Sequence, residues 1–259
     1  MSFKEVLEKL NKNILLNKKI PEELRLLQIE KLNPDKEIVF SGQKKKILKK
    51  LLQRKYSSRE ELQEDLKKIN FDLSWVILIN CDLSNLDFSN VNLSLADLSG
   101  SNVSGSSLSA ADLSMAKLTH TDFSHADMHA ANLSMVDCSH AHFNNANIAM
   151  SNFVACIAVD ADFTSADVSN TDFSDSNLKN VHFEGAATTG INVSNCILEG
   201  TIFEGHGIGF MEREKGYEQG LKELYRETDK MREVLNQSVY SSQSLYTSET
   251  TYKRKSHYR

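Results

Sequence analysis

The sequence predicts a solenoid, a rod of similar units stacked in one dimension, over residues 71–205 of the 259-residue chain. Every fifth residue from Leu73 to Phe203 is large and apolar except Ala158 and Thr188, and no insertion or deletion breaks the register. This period fits neither the three- and four-residue spacing of an amphipathic helix nor the alternation of a strand. A strict short period is typical of stacked repeats, in which each unit contacts only its neighbours.

Each five-residue unit, or pentad, has the same composition, and we number its positions one to five. Position three is the large apolar residue, position one is mostly small, position two is usually Asp or Asn, and position four is usually Ser or Thr. The segments 96–100, 111–115 and 131–135 read ADLSG, ADLSM and ANLSM. They resemble the pentapeptide repeat family, whose units follow A(D/N)LXX, and the resemblance covers about half of the chain.

The resemblance implies a mainly β fold, a right-handed quadrilateral β-helix of about seven coils with four pentads in each 20-residue coil. Positions one and three would point inward, and the other three would face water. At the usual spacing between strands the rod would be about 30 Å long. Residues 20 apart should then stack, which predicts one phenylalanine ladder (Phe123, Phe143, Phe163, Phe183, Phe203) and a shorter one (Phe153, Phe173).

The flanks divide the rest of the chain into three segments. Residues 1–70 are predicted to form a small α-helical capping domain, residues 206–236 a hinge and a C-terminal helix, and residues 237–259 a disordered tail. Helix starts are indicated at Ser2, Pro21, Gly42 and Ser58, the last with Glu61 in a capping box. Because a β-helix end must be covered, the apolar Trp75, Ile77 and Ile79 in the first coil indicate that the helical domain lies over them.

Charge is segregated along the chain, although the net charge is only −5. Residues 1–70 carry 18 Lys or Arg against 11 acids, and residues 71–205 carry two Lys against 16 acids. The basic helix after Gly42 could be solvated, docked on the acidic rod, or in peripheral contact with a membrane surface. No aromatic residues interleave with its lysines, so we do not expect nucleic acid as a partner.

The four cysteines occupy inward positions and form no disulfide framework. The N-terminus carries no apolar signal-peptide core, and no apolar run approaches membrane-spanning length. We therefore expect synthesis in a reducing cytoplasm. Pentapeptide repeats with helical flanks resemble bacterial effectors, an analogy at the level of fold that implies a bacterial protein that could be delivered into a host cell.

No catalytic, cofactor-binding or metal site is predicted. His120, His140 and Asp160 should line up on one outer face, and two histidines with a carboxylate are a known metal set. Solvated surface histidine is the competing interpretation, because a flat β-helix face offers no water-excluding pocket. Asp122, His142, Asp162 and His182 should form a second column in which histidine relieves repulsion between carboxylates.

One outer feature predicts binding. Trp75, Leu95, Met115, Met135 and Ala155, which we call the apolar row, share position five and lie 20 apart, with Val154 beside them. Exposed apolar stripes mark docking sites, here for a protein partner or for the chain's own terminal helix. The predicted function is a non-catalytic protein–protein interaction scaffold.

Two alternative functions remain. The acidic rod resembles Qnr-like members of the family, which mimic DNA and bind type II topoisomerase. Residues 20–34 resemble the opening of an F-box, which would make the chain a ubiquitin-ligase adaptor. The heptad spacing of Tyr217, Leu221, Leu224, Thr228, Met231 and Leu235 fits either a helix folded against the C-terminal end of the rod or a homodimer seam.

Overall fold

The computed structural model describes residues 42–204 together with Arg226, Asp229 and Lys230. Residues 71–204 form a four-sided β-helix in which each pentad makes one side and each coil takes 20 residues. Parallel bridges join position two of a pentad to the same position one coil later, from Asp72↔Asn92 to Asn177↔Ile197. The predicted 20-residue coil is therefore confirmed. We number the sides one to four, centred in the first coil on Leu73, Leu78, Leu83 and Phe88.

The repeat pattern follows from the hydrogen bonds at each corner. The carbonyl of position three accepts the N–H of the residue three further on, as from Ala96 to Leu93 at 3.0 Å. Position five takes a positive φ, such as 57° at His120, which Asn, Asp, His and Gly adopt most easily. The position-two carboxylate accepts the position-four N–H, as from Ser84 to Asp82 at 3.1 Å. Each corner therefore favours Asp or Asn at position two, Ser or Thr at position four, and Asn or Gly at position five.

The interior is filled by positions one and three. The longer phenylalanine ladder is confirmed from Phe123 to Phe183, with stacked ring centroids 4.5 to 5.3 Å apart, and Phe203 meets Phe183 edge to face at 5.2 Å. Phe153 and Phe173 stack at 4.8 Å, and the two ladders also touch edge to face, as between Phe163 and Phe173 at 5.6 Å. Hydroxyls at position one donate to the central carbonyl of the previous coil, as from Ser106 to Leu83 at 2.8 Å, so these buried polar groups are satisfied.

Two helices precede the rod, α1 (Gly42–Leu52) and α2 (Arg59–Lys67). Half of the predicted capping box is present, because the Ser58 hydroxyl accepts the Glu61 N–H at 3.2 Å, whereas the Glu61 carboxylate accepts the N–H of Ser57, at 3.1 Å, instead of that of Ser58. The apolar faces of both helices are buried and continuous with the interior of the first coils: Ile47, Leu48, Leu51, Leu62 and Leu66. Ile79 is 45% exposed, so the expectation that the helices cover it is wrong, while Trp75 and Ile77 are buried.

Polar side chains of this helical segment bind the edge of the first coil. In each coil the N–H groups of positions three and five donate to carbonyls of the next coil, so the first coil presents carbonyl oxygens toward the helices. Lys44 donates to the Ser74 carbonyl at 2.9 Å, Arg59 to Asn85 at 3.0 Å, and Gln63 to Asp87 at 3.0 Å. Lys44 of α1 therefore binds within the protein and does not face solvent. Lys45, Lys46 and Lys49 are exposed, and membrane contact through them stays a prediction.

The two helices are joined by an ion cluster with a defined pH dependence. Asp65 accepts from Lys50 and Lys68, each at 2.7 Å, and these bonds outweigh its partial burial and lower its pKa to about 2. A carboxylate with a depressed pKa stabilises the fold above its ordinary pKa, and this contribution is lost as the pH falls from about 4 toward 2.

Asp65→Asn should therefore lower the free energy of unfolding by about 1 to 2 kcal/mol at pH 7 and make little difference at pH 2. Chemical unfolding of both proteins across this pH range measures the difference. An equal destabilisation at pH 2 would show that Asp65 acts through packing instead of charge.

Several predictions lie outside the described residues. These are the helix starts at Ser2 and Pro21, the F-box-like segment 20–34, the hinge after Gly205 and the tail 237–259. Of the predicted C-terminal helix, Arg226, Asp229 and Lys230 are described, and all three are helical. No helix in the described part of the chain is long and apolar enough to cross a membrane.

Candidate functional site

The apolar row is buried. Trp75 is 4% exposed, Leu95 and Met115 are 1% exposed, and Met135 and Ala155 are fully buried. In the same five coils, position five on the other three sides is exposed at every corner except the half-buried Gly105. The expectation that position five faces water is therefore wrong on side one, where other protein groups cover it.

The covered area extends to both neighbours of the row. Ser94, Ser114 and Ser134 at position four are buried, and Val154 in the fifth coil is half-buried. Across the corner, position two of side two is buried at Ile77, Asp97, Ile157 and Asn177. Further along the row Asp175 is half-buried and Asn195 is exposed. The protein groups that bury the apolar row therefore extend over coils one to five and end before coil seven.

The C-terminal segment reaches this surface. The Lys117 Nζ lies 3.0 Å from Asp229 Oδ2, and Lys117 is on side two of the third coil, two residues after Met115. Both side chains keep about a third of their surface exposed, so the ion pair contributes little free energy. The ion pair shows where the segment lies, because it places a helical residue of the C-terminal segment beside the middle of the apolar row. The expectation that this helix packs against the C-terminal end of the rod is therefore wrong for Asp229.

The backbone of the apolar row is also strained. Its five residues have φ between 56° and 64°, a left-handed conformation that costs a bulky residue about 1 to 2 kcal/mol. Most corners elsewhere use residues that tolerate it, as at Asn80, Gly100, Asp160 and Asn180. Large apolar side chains in this conformation need compensation, and burial beneath a covering segment provides it.

Backbone strain and apolar burial together predict opposite changes in the free energy of unfolding at two corners. Met135 is fully buried, whereas Met150 on side four is 62% exposed, and both have positive φ. Met150→Asn should raise the free energy of unfolding by about 0.5 to 1 kcal/mol, because it relieves the left-handed strain. Met135→Asn should lower it by about 1 to 2 kcal/mol, because the lost apolar burial exceeds the same relief. Denaturant unfolding tests both, and stabilisation by both variants would show that the row is not covered.

The histidine columns form as predicted. His120 and His140 stack with ring centroids 4.8 Å apart and nearly parallel planes, and His140 Nδ1 lies 3.8 Å from Asp160 Oδ2. Bridges join Asp122, His142, Asp162 and His182 in the second column. Within the described ranges, no three or more His, Cys, Asp or Glu residues converge as a metal ion requires. The columns are partly exposed ladders on the rod surface.

The described residues also form no activated nucleophile. All four cysteines are free, and burial raises the pKa of the Cys81 thiol to about 11, so it stays protonated at neutral pH. A cavity of about 340 Å³ lies where α1 and α2 meet the first coil, lined among others by Arg54, Tyr56 and Ser84. Arg54 pairs there with Asp82 at 2.5 Å, so its charge serves the joint between helices and rod.

Two features of this surface could not be read from the repeat. Side two carries Ile77, Lys117 and Ile157 at position two, where most pentads of the other sides carry Asp or Asn, and this departure marks the second edge of the covered area. The ion pair between Lys117 and Asp229 joins residues 112 apart. Lys117 was nevertheless detectable as one of only two lysines in residues 71–205.

Comparisons with known proteins agree on the repeat. Residues 70–105 and 106–137 match the family model described as pentapeptide repeats (8 copies), and residues 136–209 match one described as a pentapeptide repeat region. A comparison with curated proteins gives no significant match.

Similar solved structures include a pentapeptide repeat protein from the Arabidopsis thaliana thylakoid lumen, 31% identical, with a TM-score of 0.32 over 38% of this chain and 64% of that chain. Less than two thirds of the Arabidopsis protein is therefore spanned. QnrB1, a plasmid-mediated fluoroquinolone resistance protein, is 18% identical over 48% of this chain and 68% of that chain, with a TM-score of 0.36. HetL from the cyanobacterium Nostoc sp., involved in heterocyst differentiation regulation, is 17% identical over 57% and 97%, with a TM-score of 0.19.

Proposed function

Because this chain belongs to the pentapeptide repeat family, we propose that it is a non-catalytic scaffold that binds a protein partner along one side of its β-helix. The observation that carries the proposal is the apolar row. Large apolar residues hold a strained left-handed conformation in successive coils of side one, where they are buried under other protein groups, whereas Met150 on side four has the same conformation at a single exposed corner. A surface with these properties is suited to bind another segment of polypeptide.

The dimensions of the surface favour a helix. Five coils place Trp75 about 19 Å from Ala155, a distance that an α-helix covers with about 13 residues. The apolar row is flanked by the serines of position four and by polar residues of side two, among them Asp97 and Lys117. An amphipathic helix would lay its apolar face on Trp75, Leu95, Met115, Met135 and Val154 and its polar edges against these flanks.

The acidity of the rod has a structural origin. Eleven of the 16 acidic residues in 71–205 are position-two aspartates whose carboxylates accept the N–H of position four. The charge is therefore produced by the corner, whatever the rod binds. For this reason we favour binding of a protein partner along the apolar row over Qnr-like binding of topoisomerase through the acidic sides. The bacterial, host-delivered role stays a prediction from the resemblance of fold.

The test is affinity capture with the full-length protein from bacterial and eukaryotic lysates. The double variant Met115→Glu/Met135→Glu charges the apolar row, and Met150→Glu is the matched control on an exposed corner of side four. We expect a partner that the wild type and Met150→Glu retain and the double variant loses, with circular dichroism showing that all three fold.

Other outcomes would overturn the proposal. Type II topoisomerase retained equally by every variant would favour binding through the acidic sides. A ubiquitin-ligase adaptor retained equally would favour the F-box-like segment 20–34. Failure of the wild type to retain any row-dependent protein would leave the apolar row a purely internal packing surface.

A further inference from the structure

We infer that the apolar row is occupied by the chain's own C-terminal segment, residues 217–235, lying as a helix antiparallel to the direction in which the coils are added. The inference rests on the proposed function in treating the row as a helix-binding surface, and it names the occupant. It also accounts for the burial of the row by other groups of the same chain.

The position of Asp229 supports this assignment. Its carboxylate meets Lys117 in the third coil, and the buried part of the row extends from Trp75 in the first coil to Ala155 in the fifth. The contact therefore lies at the middle of the covered length. Arg226, Asp229 and Lys230 are all helical, so a helix is the element that makes the contact.

The direction of the segment follows from where the rod ends. Glu204 lies in the seventh coil and Asp229 beside the third, so the chain must return past four coils, or about 19 Å. The residues before Asp229 therefore lie toward the seventh coil and those after it toward the first.

The length of the segment also matches the row. Two coils on either side of Asp229 measure about 10 Å, or six to seven helical residues, which brings residues 222–236 over coils five to one. The sequence places apolar residues for this face at Leu221, Leu224, Met231 and Leu235. Leu221 and Leu235 would be about 21 Å apart in a helix, against about 19 Å for the row.

The inference implies competition. A partner helix of the same chemistry must displace residues 217–235, so binding of the partner and docking of the segment exclude one another. The same contacts could also be made in trans between two copies of the chain, and the experiment separates these two cases.

Zero-length carbodiimide coupling tests the inference on the unmodified full-length protein. The reagent joins an amine to a carboxylate in direct contact, and Lys117 Nζ and Asp229 Oδ2 are 3.0 Å apart. We expect a Lys117–Asp229 amide in peptides from the monomeric fraction. Lys179 and Glu199, whose charged atoms are 2.9 Å apart within the rod, provide an internal positive control.

Three variants sharpen the result. Lys117→Arg should abolish this one product while leaving Lys179–Glu199 unchanged. Leu224→Asp/Met231→Asp should reduce its yield at least ten-fold, and Glu233→Lys, two positions from the apolar seam, should not. No Lys117–Asp229 product alongside a normal Lys179–Glu199 product would overturn the inference, and a product confined to covalent dimers would assign the row to a second copy. If the apolar row captures a partner but no Lys117–Asp229 amide forms, the proposed function stands. In that case residues 217–235 do not occupy the row in the free protein.

Discussion

Phe163→Ala is expected to lower the free energy of unfolding by about 4 kcal/mol, the largest effect of any single substitution considered. Phe163 is fully buried in the fifth coil and touches four other rings. It stacks on Phe143 at 4.5 Å and Phe183 at 5.3 Å, and meets Phe153 and Phe173 edge to face. Removal of the ring leaves a cavity between stacked coils, where backbone hydrogen bonds on both sides prevent collapse.

Denaturant unfolding followed by circular dichroism measures this loss. Phe163→Leu is the matched control and should cost about 1.5 kcal/mol or less, because most of the volume is retained. A loss below about 1 kcal/mol for Phe163→Ala would mean that the coils close over the gap, and that the ladder is not a rigid part of the core.

Met115→Asp should lower the free energy of unfolding by about 2 to 3 kcal/mol, because it removes a buried apolar side chain and places a carboxylate under the covering segment. Aspartate tolerates the positive φ of 58° at this corner, so backbone strain does not contribute to the loss. The charge can return to water only if the covering segment leaves the row. The variant should therefore undock that segment while the rod itself remains folded.

Met150→Asp provides the control for this substitution. Met150 has a φ of 62° and is 62% exposed, so its replacement relieves the left-handed strain without loss of burial and should raise the free energy of unfolding by up to about 1 kcal/mol. Equal effects at the two corners would contradict the assignment of a covered and an uncovered side.

The features that follow from the period alone were predictable from the sequence. Residues 20 apart share a column, so the period alone predicts that Phe123 lies over Phe143 and His120 over His140, as the structure shows. The hydrogen bond from the Glu61 N–H to the Ser58 hydroxyl was also predictable, because it depends on residues three apart. These are local or strictly periodic relations, and the repeat transmits them without change from coil to coil.

Apolar residues 20 apart marked position five of side one as a docking surface, but the pentad did not predict that this surface is buried. The pentad rule assigns this position to water, as at His120 and Asn145, and nothing within the repeat distinguishes Met135 from an exposed corner. Its burial depends on a segment more than 90 residues later in the chain. The exposure of Ile79 was missed for a related reason, since the extent of the helices over the first coil depends on tertiary packing.

Hydrogen exchange of the amides in residues 217–235 of the full-length protein tests the central claim most directly. A helix of this length is marginal in water on its own, so slow exchange requires that it be docked. The account predicts that these amides exchange slowly in the wild type and in Met150→Asp, and fast in Met115→Asp. Exchange in the wild type as fast as in the isolated peptide 217–235 would contradict the account.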